Sequence, residues 1–155
     1  MERPKVICVV GPTACGKTTL GVLLAKKYGG EVVSADSMQI YRGMDIGTAK
    51  PTPEEMRGVP HHMLDVVEPN QPYSVAEFQA GAYAAIDGIL SRGNTPFLVG
   101  GTGLYVRAVT EGFTFTDARP DPALRAKLEG KTTAELYALL REKTGVTLTD
   151  GEEFN

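Results

Sequence analysis

Eight residues near the start of the chain combine glycines, a lysine and a threonine in a spacing that suits phosphate binding. They fit the pattern G-x-x-x-x-G-K-[ST] at every position and run Gly11, Pro12, Thr13, Ala14, Cys15, Gly16, Lys17, Thr18. Glycines let such a loop turn its backbone N–H groups toward an anion. Lys17 is predicted to hold terminal phosphate oxygens, and the Thr18 hydroxyl to take a Mg2+ position. This segment, called the phosphate loop below, therefore predicts a diphosphate or nucleotide site.

A carboxylate follows the next predicted strand, which covers residues 31–35. Asp36 stands directly after that strand, where ligands bind in open parallel sheets. Such a group can hold Mg2+ or act as a general base on an acceptor near bound phosphates, and a helix N-cap is the structural alternative. Gln39 and Tyr41 add an amide and an aromatic ring, which are suited to gripping a nucleobase and stacking on it.

A second glycine turn, Gly100-Gly101-Thr102-Gly103, follows a further buried strand. It repeats the order of strand, glycine turn and helix seen around the phosphate loop. Thr102 is a candidate contact to a transferring group or a bridging oxygen. A purely structural turn, in which the glycines serve only close packing, is the alternative.

Strands and helices must bring these residues together. The apolar pattern predicts strands over 6–10, 31–35 and 96–99, and helices over 19–27, from the capping box at 74–77 to near residue 93, and over 104–109. In the first helix the predicted inward face carries Leu20, Leu23 and Leu24. The fold class is therefore α/β, a P-loop NTPase-like parallel sheet flanked by helices, with the motifs at its carboxyl edge.

Residues 42–73 are rich in glycine and proline and are expected to cross that edge as a long, partly helical excursion. A short strand is predicted over 63–67. The pair His61-His62 invites a metal hypothesis, but no partners with ligand spacing surround it, so hydrogen-bonding or RNA-facing roles are favoured.

Beyond residue 112 the pattern becomes helical, with helices predicted over 120–128 and 132–141. The second helix has its own capping box and places Leu136, Leu139 and Leu140 on one face. We therefore divide the chain into a P-loop α/β core at 1–112 and a helical segment at 113–155.

Composition narrows the possible classes of protein. A chain of 155 residues with 42% hydrophobic content can build one domain with a real core. Its 16 basic and 19 acidic side chains give a net charge of −3, so any RNA contact must be local. Two cysteines, Cys8 and Cys15, suggest no disulfide framework and point to the cytosol. No signal peptide or transmembrane run is found. The residues alone thus indicate a phosphate-handling P-loop protein and leave kinase, hydrolase and transferase open.

Several blocks, in order, closely resemble the tRNA dimethylallyltransferase family, also called tRNA isopentenyltransferase. They are GPTACGKT, SADSMQIYRGMDIGTAK at 34–50, GVPHHMLD at 58–65, YSVAEF at 73–78 and FLVGGTGLY at 97–105. The resemblance covers about residues 5–130. It implies transfer of a dimethylallyl group from dimethylallyl diphosphate, with Mg2+ as cofactor, to N6 of the adenosine 3′ to the anticodon in tRNA. The phosphate loop would then hold the donor diphosphate, although it looks like an ATP site.

The resemblance also implies roles for individual residues. Asp36 would take the proton from the attacking N6 amine, and Thr102 would lie near the reacting groups and the tRNA. The flipped-out adenine would be gripped by a segment that comprises Asp36, Ser37, Met38 and Gln39. Arg125 matches a position of tRNA contact, with an exposed helix arginine as the alternative.

The chain departs from that family in one respect. Its members continue through a helical insertion, of which 113–155 would be the start, and return to the core with an Arg-rich segment that has no match here. We therefore expect the donor-site half of a cytoplasmic transferase, a monomer unless it pairs with another chain, and turnover by this segment alone is in question. A small-molecule kinase and a non-catalytic diphosphate- or nucleotide-binding fragment remain alternatives.

Overall fold

A computed structural model describes residues 5–115 and 121–145 of the chain. The chain divides into two compact units, Met1–Phe115 and Thr116–Asn155. In the described residues no helix is both long enough and apolar enough to cross a bilayer.

The first unit is built on a four-stranded sheet. Its strands are β1 (Ile7–Val10), β2 (Gly30–Ser34), β3 (His61–His62) and β4 (Thr95–Gly100), in the spatial order β1-β4-β2-β3. All three pairings are parallel. The carboxyl ends of the strands therefore meet at one edge, as the sequence predicts.

Helices cover both faces of this sheet. They are α1 (Lys17–Tyr28), α2 (Pro53–Met56), α3 (Val75–Ser91) and α4 (Gly103–Arg107), the last of which continues into a π-helical turn at Ala108–Gly112. Val22 and Ala25 of α1 pack with Phe97 in one core cluster, whereas Phe78 and Ile86 of α3 pack with Leu98 in the other. This arrangement confirms the predicted α/β fold class.

The inward face of α1 was predicted correctly only in part, because Leu24 is partly buried against the core cluster that contains Val22, whereas the other two leucines are not. Leu20 and Leu23 are 50% and 48% exposed, and the buried residues of the helix are Gly21, Val22 and Ala25. A Cβ built on Gly21 would lie 2.8 Å from Val99 Cγ2, so only a glycine lets α1 approach β4 this closely. The close approach of α1 to the sheet therefore decided which face of the helix is buried, although the leucines have the larger apolar area.

The excursion over 42–73 contains α2 and β3. The strand predicted over 63–67 is wrong in position, because β3 consists of His61–His62 and Val67 forms only an isolated bridge with Tyr41. Met63 and Asp65 have φ angles of 64° and 53°, a left-handed conformation that no strand can contain.

The second unit contains α5 (Pro122–Glu129) and α6 (Thr133–Thr144). The start of α5 predicted at residue 120 lies outside the described residues. Thr132 and Glu135 form the predicted capping box of α6, and Gly145 ends that helix with a φ of 68°. Of the three leucines predicted to share one face of α6, Leu136 and Leu140 are exposed and Leu139 is partly buried.

Candidate active site

The phosphate loop joins β1 to α1 through two left-handed residues. Ala14 has a φ of 63° and Gly16, the N-cap residue of α1, has a φ of 84°. When left-handed residues alternate with residues of negative φ, successive backbone N–H groups point to the inside of the loop. No side chain caps α1, and its first turn carries no acidic residue. The N–H groups and the positive dipole end of this helix are therefore left for an anionic ligand.

Three other helices of the chain begin in a different way. Their N-termini carry full capping boxes, formed by Thr52 with Glu55, Ser74 with Glu77, and Thr132 with Glu135. Each box fills the orphan N–H positions with a hydroxyl and adds a carboxylate to the first turn. The short helix α4, which follows the second glycine turn, also begins without a side-chain cap or an acidic first turn. The uncapped starts of α1 and α4 thus both follow glycine turns at the carboxyl edge of the sheet.

Lys17 lies across the phosphate loop. Its ammonium group donates a hydrogen bond to the Pro12 carbonyl and lies 3.9 Å from Cys15 Sγ. A Cβ built on Gly101 would lie 3.7 Å from Lys17 Nζ and 3.4 Å from the Gly11 carbonyl oxygen. The second glycine turn therefore packs directly against the phosphate loop.

The glycines of that second turn have a packing role. A Cβ on Gly100 would lie only 2.3 Å from the Ala35 carbonyl oxygen, so the ends of β2 and β4 meet more closely than any side chain permits. A structural role for the glycines and a ligand contact by Thr102 are thus compatible. The close packing brings Gly101 and Thr102 to the same edge of the sheet as the phosphate loop.

Asp36 orders the turn that follows β2. Its Oδ1 accepts hydrogen bonds from the backbone N–H groups of Met38 at 2.8 Å and Gln39 at 3.2 Å. Across 5–115 and 121–145 the carboxylate has no other hydrogen bond. The helix N-cap weighed from the sequence is not formed, because a turn and not a helix follows Asp36. The carboxylate caps that turn with one of its oxygens.

Thr102 connects this turn to the second glycine turn. Its Oγ1 accepts a hydrogen bond from the Ser37 N–H at 3.0 Å and donates one to Ser37 Oγ at 3.3 Å. Its own N–H donates to the Ala35 carbonyl at 3.1 Å. Thr102 therefore fixes the position of the Asp36 turn relative to β4.

Gln39 holds one wall of the site. Its Nε2 donates to the carbonyls of Thr48 at 3.1 Å and Ala49 at 3.2 Å, and its Oε1 accepts from Ser34 Oγ at 3.2 Å. Both amide N–H groups are thus directed at the chain's own loop. A contact between Gln39 and an adenine stays a prediction, and only Oε1 retains capacity for it.

Lys50 anchors the same wall and was missed by the sequence analysis. Its side chain is 5% exposed, donates to the Tyr41 carbonyl at 2.7 Å, and forms ion pairs with Asp45 at 2.7 Å and Asp65 at 2.6 Å. Burial by itself would lower the pKa of Lys50, but the two carboxylates raise it above the ordinary value. The signal in the sequence was slight, since one lysine near loop carboxylates is common.

These groups surround a cavity of about 510 Å3, called the anion cavity below. Most predicted site residues line it, namely Thr13, Ala14, Gly16, Lys17, Thr18, Asp36, Ser37, Met38, Gln39 and Thr102, and so do Thr48, Ala49 and Glu55, which were not predicted. Gly11, Pro12 and Cys15 belong to the loop without lining the cavity. Arg125 is an exposed residue of α5 in the second unit. The individual roles assigned to these residues stay predictions.

Two oxygen donors in the anion cavity suit a hard divalent cation. The Thr18 hydroxyl and the Asp36 carboxylate both line it, and Mg2+ is commonly bound by one or two such groups together with substrate phosphates.

The histidine pair makes hydrogen bonds within the fold. His61 Nδ1 donates to the Val59 carbonyl at 2.8 Å, and His62 Nε2 lies 2.6 Å from Glu31. Within the described ranges no three His, Cys, Asp or Glu residues form a metal-ligating group.

A parallel sheet, an uncapped helix after a glycine loop and a carboxylate at the next strand tip define a P-loop α/β protein with a site suited to phosphate groups. Comparison with known families is more specific. The family model described as IPP transferase matches residues 39–149, and the model described as isopentenyl transferase matches residues 4–69. The chain belongs to the IPP transferase family, which confirms the resemblance found in the sequence.

Individual relatives agree with this assignment. The chain is 56% identical to a tRNA dimethylallyltransferase of Symbiobacterium thermophilum, over 92% of this chain and 46% of the relative. It is 52% identical to one of Pelotomaculum thermopropionicum, over 92% of this chain and 45% of the relative. The chain thus spans less than half the length of these curated relatives.

Solved structures show the same fold. A full-length tRNA isopentenylpyrophosphate transferase of Bacillus halodurans matches with a TM-score of 0.73 and 50% identity, over 92% of this chain and 48% of that one. A eukaryotic dimethylallyltransferase, described as acting on tRNA, matches with a TM-score of 0.81 and 32% identity, over 92% of this chain and 36% of the other.

Proposed function

We propose that this chain supplies the donor-binding half of a tRNA dimethylallyltransferase, which moves a dimethylallyl group from dimethylallyl diphosphate to N6 of the adenosine 3′ to the anticodon. The observation that carries the proposal is the meeting of the phosphate loop, Asp36 and Thr102 around one cavity of about 510 Å3. The names of the relatives supply the substrate class. The reaction belongs to the cytoplasm, where its tRNA substrate is found.

The phosphate loop would bind the diphosphate of the donor. Inward N–H groups, the N-terminus of α1 and the Lys17 ammonium group place positive charge where negative charge grows as the diphosphate leaves. Mg2+, held by the Thr18 hydroxyl with Asp36 nearby, would supply further charge neutralisation on the phosphate oxygens. Charge stabilisation that increases in the transition state lowers the barrier to breaking the allylic C–O bond.

Asp36 is the proposed general base. The N6 lone pair forms the new C–N bond, the C–O electron pair leaves on the diphosphate, and the N6 proton moves to the carboxylate. The N–H groups of Met38 and Gln39 hold Oδ1, which leaves Oδ2 to take the proton. Thr102 supports this geometry by binding Ser37 from the neighbouring turn.

The adenine must leave its stack to reach this position. Met38 is 46% exposed and lines the anion cavity, so its thioether can pack against a base that enters there. The proposed tRNA contacts are completed by Ser37, Gln39 and Arg125. The relatives' names give tRNA as their substrate, and within tRNA the proposed partner is the anticodon stem-loop.

Titration calorimetry tests the donor site directly. The 155-residue chain is titrated in Mg2+ buffer with dimethylallyl diphosphate and, separately, with ATP. Lys17→Ala removes the predicted phosphate contact, and Lys26→Ala, an exposed lysine at the opposite end of α1, is the matched control. We expect dimethylallyl diphosphate to bind more tightly than ATP, Lys17→Ala to abolish binding, and Lys26→Ala to leave it unchanged.

Other outcomes contradict the proposal in distinct ways. Tighter binding of ATP would favour the small-molecule kinase. Equal loss of donor affinity in Lys17→Ala and Lys26→Ala would mean that the effect of removing a lysine is not specific to the phosphate loop. Absence of binding by the unmodified chain would overturn the claim that these residues form the donor site.

A further inference from the structure

We propose that His61 is a positioning residue of the donor site, which acts on the Thr18 hydroxyl through one enclosed water molecule. The water would lie in a small cavity behind the phosphate loop, called the inner cavity below. The inference rests on the proposed function, in which the Thr18 hydroxyl holds Mg2+. It adds to that function a water site and a residue that does not line the anion cavity.

The inner cavity has a volume of about 20 Å3. A buried water needs about 10 to 15 Å3, so the space suits a single water molecule. Thr18, Gln39 and Val99 line both the inner cavity and the anion cavity, so the two cavities share a wall. The other residues that line the inner cavity are Val32, Ser34, Pro51 and His61. A water there would contact the back of a wall whose front faces the donor.

The register of the sheet brings the polar residues of this lining together. His61 of β3 pairs with Val32 of β2, and Ser34 follows two residues along β2. The side chains of paired residues, and of residues two apart in one strand, lie on the same face of a sheet. Val32 packs in the core cluster that includes residues of α1. His61 and Ser34 thus lie on the face that α1 covers, and the first turn of that helix carries Thr18.

Hydrogen bonds around the inner cavity decide which of its polar groups accept. Gln39 Nε2 donates to the carbonyls of Thr48 and Ala49, so the atom next to Ser34 is Oε1. An amide oxygen can only accept, so the Ser34 hydroxyl donates its proton to Gln39. Ser34 is 4% exposed, and towards any further partner its oxygen is an acceptor.

The tautomer of His61 follows in the same way. Its Nδ1 lies 2.8 Å from the Val59 carbonyl oxygen, which can only accept, so the ring proton is on Nδ1. Burial lowers the pKa of His61, which favours the neutral ring. In that tautomer Nε2 is an acceptor, and no group within 5–115 and 121–145 donates to it.

Thr18 has the hydroxyl proton that these acceptors lack. In the described part of the chain its hydroxyl makes no hydrogen bond, although Thr18 lines the inner cavity. One water satisfies the whole set, because it accepts the Thr18 proton and donates to His61 Nε2 and to the Ser34 oxygen. Three hydrogen bonds are typical of a buried water.

This arrangement has a consequence for the donor site. With its proton held on the side of the inner cavity, the Thr18 oxygen presents lone pairs to the anion cavity, as a Mg2+ ligand must. Without the Nε2 acceptor of His61, the water keeps a proton without a partner and the Thr18 hydroxyl is free to rotate. Its proton can then turn toward the anion cavity and oppose a cation there.

Two substitutions separate the nitrogens of His61. His61→Asn keeps an amide N–H group close to the position of Nδ1 and has no acceptor at the position of Nε2. His61→Gln places an amide oxygen close to the position of Nε2 and loses the bond to Val59. His62→Asn is the matched control, because the neighbouring histidine contacts Glu31 and does not line the inner cavity.

Calorimetry of dimethylallyl diphosphate binding to the 155-residue chain is run over a series of Mg2+ concentrations. We expect His61→Asn to weaken the apparent Mg2+ affinity about 10- to 100-fold, the usual effect of losing a partner behind a metal ligand. His61→Gln and His62→Asn should remain within a few-fold of the unmodified chain. Donor binding in Mg2+-free buffer should be the same in all four proteins, and circular dichroism establishes that each is folded.

Two further measurements need neither donor nor Mg2+. Long-range proton–nitrogen correlation spectra of the isotope-labelled chain, which contains two histidines, report the tautomer, and His62→Asn assigns the signals. We expect a proton on Nδ1 of His61 and none on Nε2. A crystal structure of the unmodified chain should show one water within hydrogen-bond distance of Thr18 Oγ1 and His61 Nε2.

Several results would overturn the proposal. They are a proton on Nε2 of His61, a crystal structure with no water or with a metal ion in the inner cavity, and unchanged Mg2+ affinity in His61→Asn. An equal loss in His61→Gln and His61→Asn would also contradict it, because the effect would then not arise at Nε2. If the unmodified chain binds no donor, the proposed function fails, and the spectra and the crystal structure still decide the tautomer and the water.

Discussion

Two carboxylates at opposite ends of β2 have very different surroundings. Glu31, at the amino end, is only 3% exposed. Its carboxylate accepts two hydrogen bonds from the Arg92 guanidinium, at 3.0 and 2.8 Å, and one from the Asn94 amide at 2.8 Å. His62 Nε2 lies 2.6 Å from the same carboxylate. Asp36 lies just beyond the carboxyl end, and within the described part of the chain it accepts only from two N–H groups of its own turn.

The difference separates a carboxylate that stabilises the fold from one that is available to a ligand. The Arg92 guanidinium, together with His62 and Asn94, holds the pKa of Glu31 at about 2 although burial alone would raise it. The ionised Glu31 carboxylate therefore stabilises the folded state through these contacts. Asp36 lines the anion cavity and keeps capacity for an outside partner. Along β2, side chains of other elements engage the carboxylate at the amino end, whereas the carboxylate beyond the carboxyl end is held only through one oxygen by its own turn in the described residues, at the edge where ligands bind in parallel sheets.

Asp36→Asn should have the largest effect. We expect turnover to fall by about 100- to 10,000-fold, the usual contribution of a general base, while stability changes little because an asparagine oxygen can still cap the turn. The measurement is prenyl transfer to tRNA by a hybrid of these 155 residues and the remainder of the Symbiobacterium relative. Turnover within a few-fold of the unmodified hybrid would show that Asp36 is not the base.

Glu31→Gln should show the opposite behaviour. We expect the free energy of unfolding to fall by about 2 kcal/mol, since charged hydrogen bonds to Arg92, His62 and Asn94 are lost in a buried place. Urea denaturation at pH 7 measures this. Glu111→Gln, at an exposed pair with Arg107, is the control and should cause no measurable change. Equal stability of the Glu31 and Glu111 variants would contradict the assignment.

The pH dependence of stability sharpens the role of Glu31. Its pKa is lower in the folded protein, at about 2, than its ordinary value of 4.5, so its contribution is fully present above pH 4.5 and is lost as pH falls toward 2. The stability difference between the unmodified chain and Glu31→Gln should therefore shrink over that interval. A difference that stays constant from pH 7 to pH 3 would rule out this linkage.

Thr19→Glu places a carboxylate where the first turn of α1 has none. We expect donor affinity to fall about tenfold, because one unit charge at about 4 Å costs roughly 1 to 4 kcal/mol near a protein surface. Stability should rise slightly through the helix dipole. Calorimetry gives the affinity, and Thr133→Glu in the first turn of α6 is the matched control. Unchanged donor affinity would place the diphosphate away from this helix terminus.

Much of the candidate site was predictable because its signals are local. The glycine-lysine loop, Asp36 after a strand and the second glycine turn are each contained in a few consecutive residues. Parallel strands then bring these turns to one edge with no further information. The same locality explains why the capping boxes at Ser74 and Thr132 were found correctly.

Features that depend on distant contacts were missed. The burial of Lys50 between Asp45 and Asp65 requires the excursion to fold back on itself, and nothing within the sequence pattern specifies that path. The Glu31 network joins three elements that are far apart in sequence. The inward face of α1 was misjudged because the space available to a side chain depends on Val99 of another strand.

The sequence by itself determined the fold class, the phosphate loop and the family, because each follows from short-range patterns of glycine, charge and apolar residues. The tertiary structure alone decided that Gln39 and Lys50 hold the wall of the anion cavity, and that Thr102 fixes the Asp36 turn. It also placed β1 at one edge of the sheet that the described residues form. Strand order and side-chain burial arise from contacts between distant segments, and no local pattern encodes them.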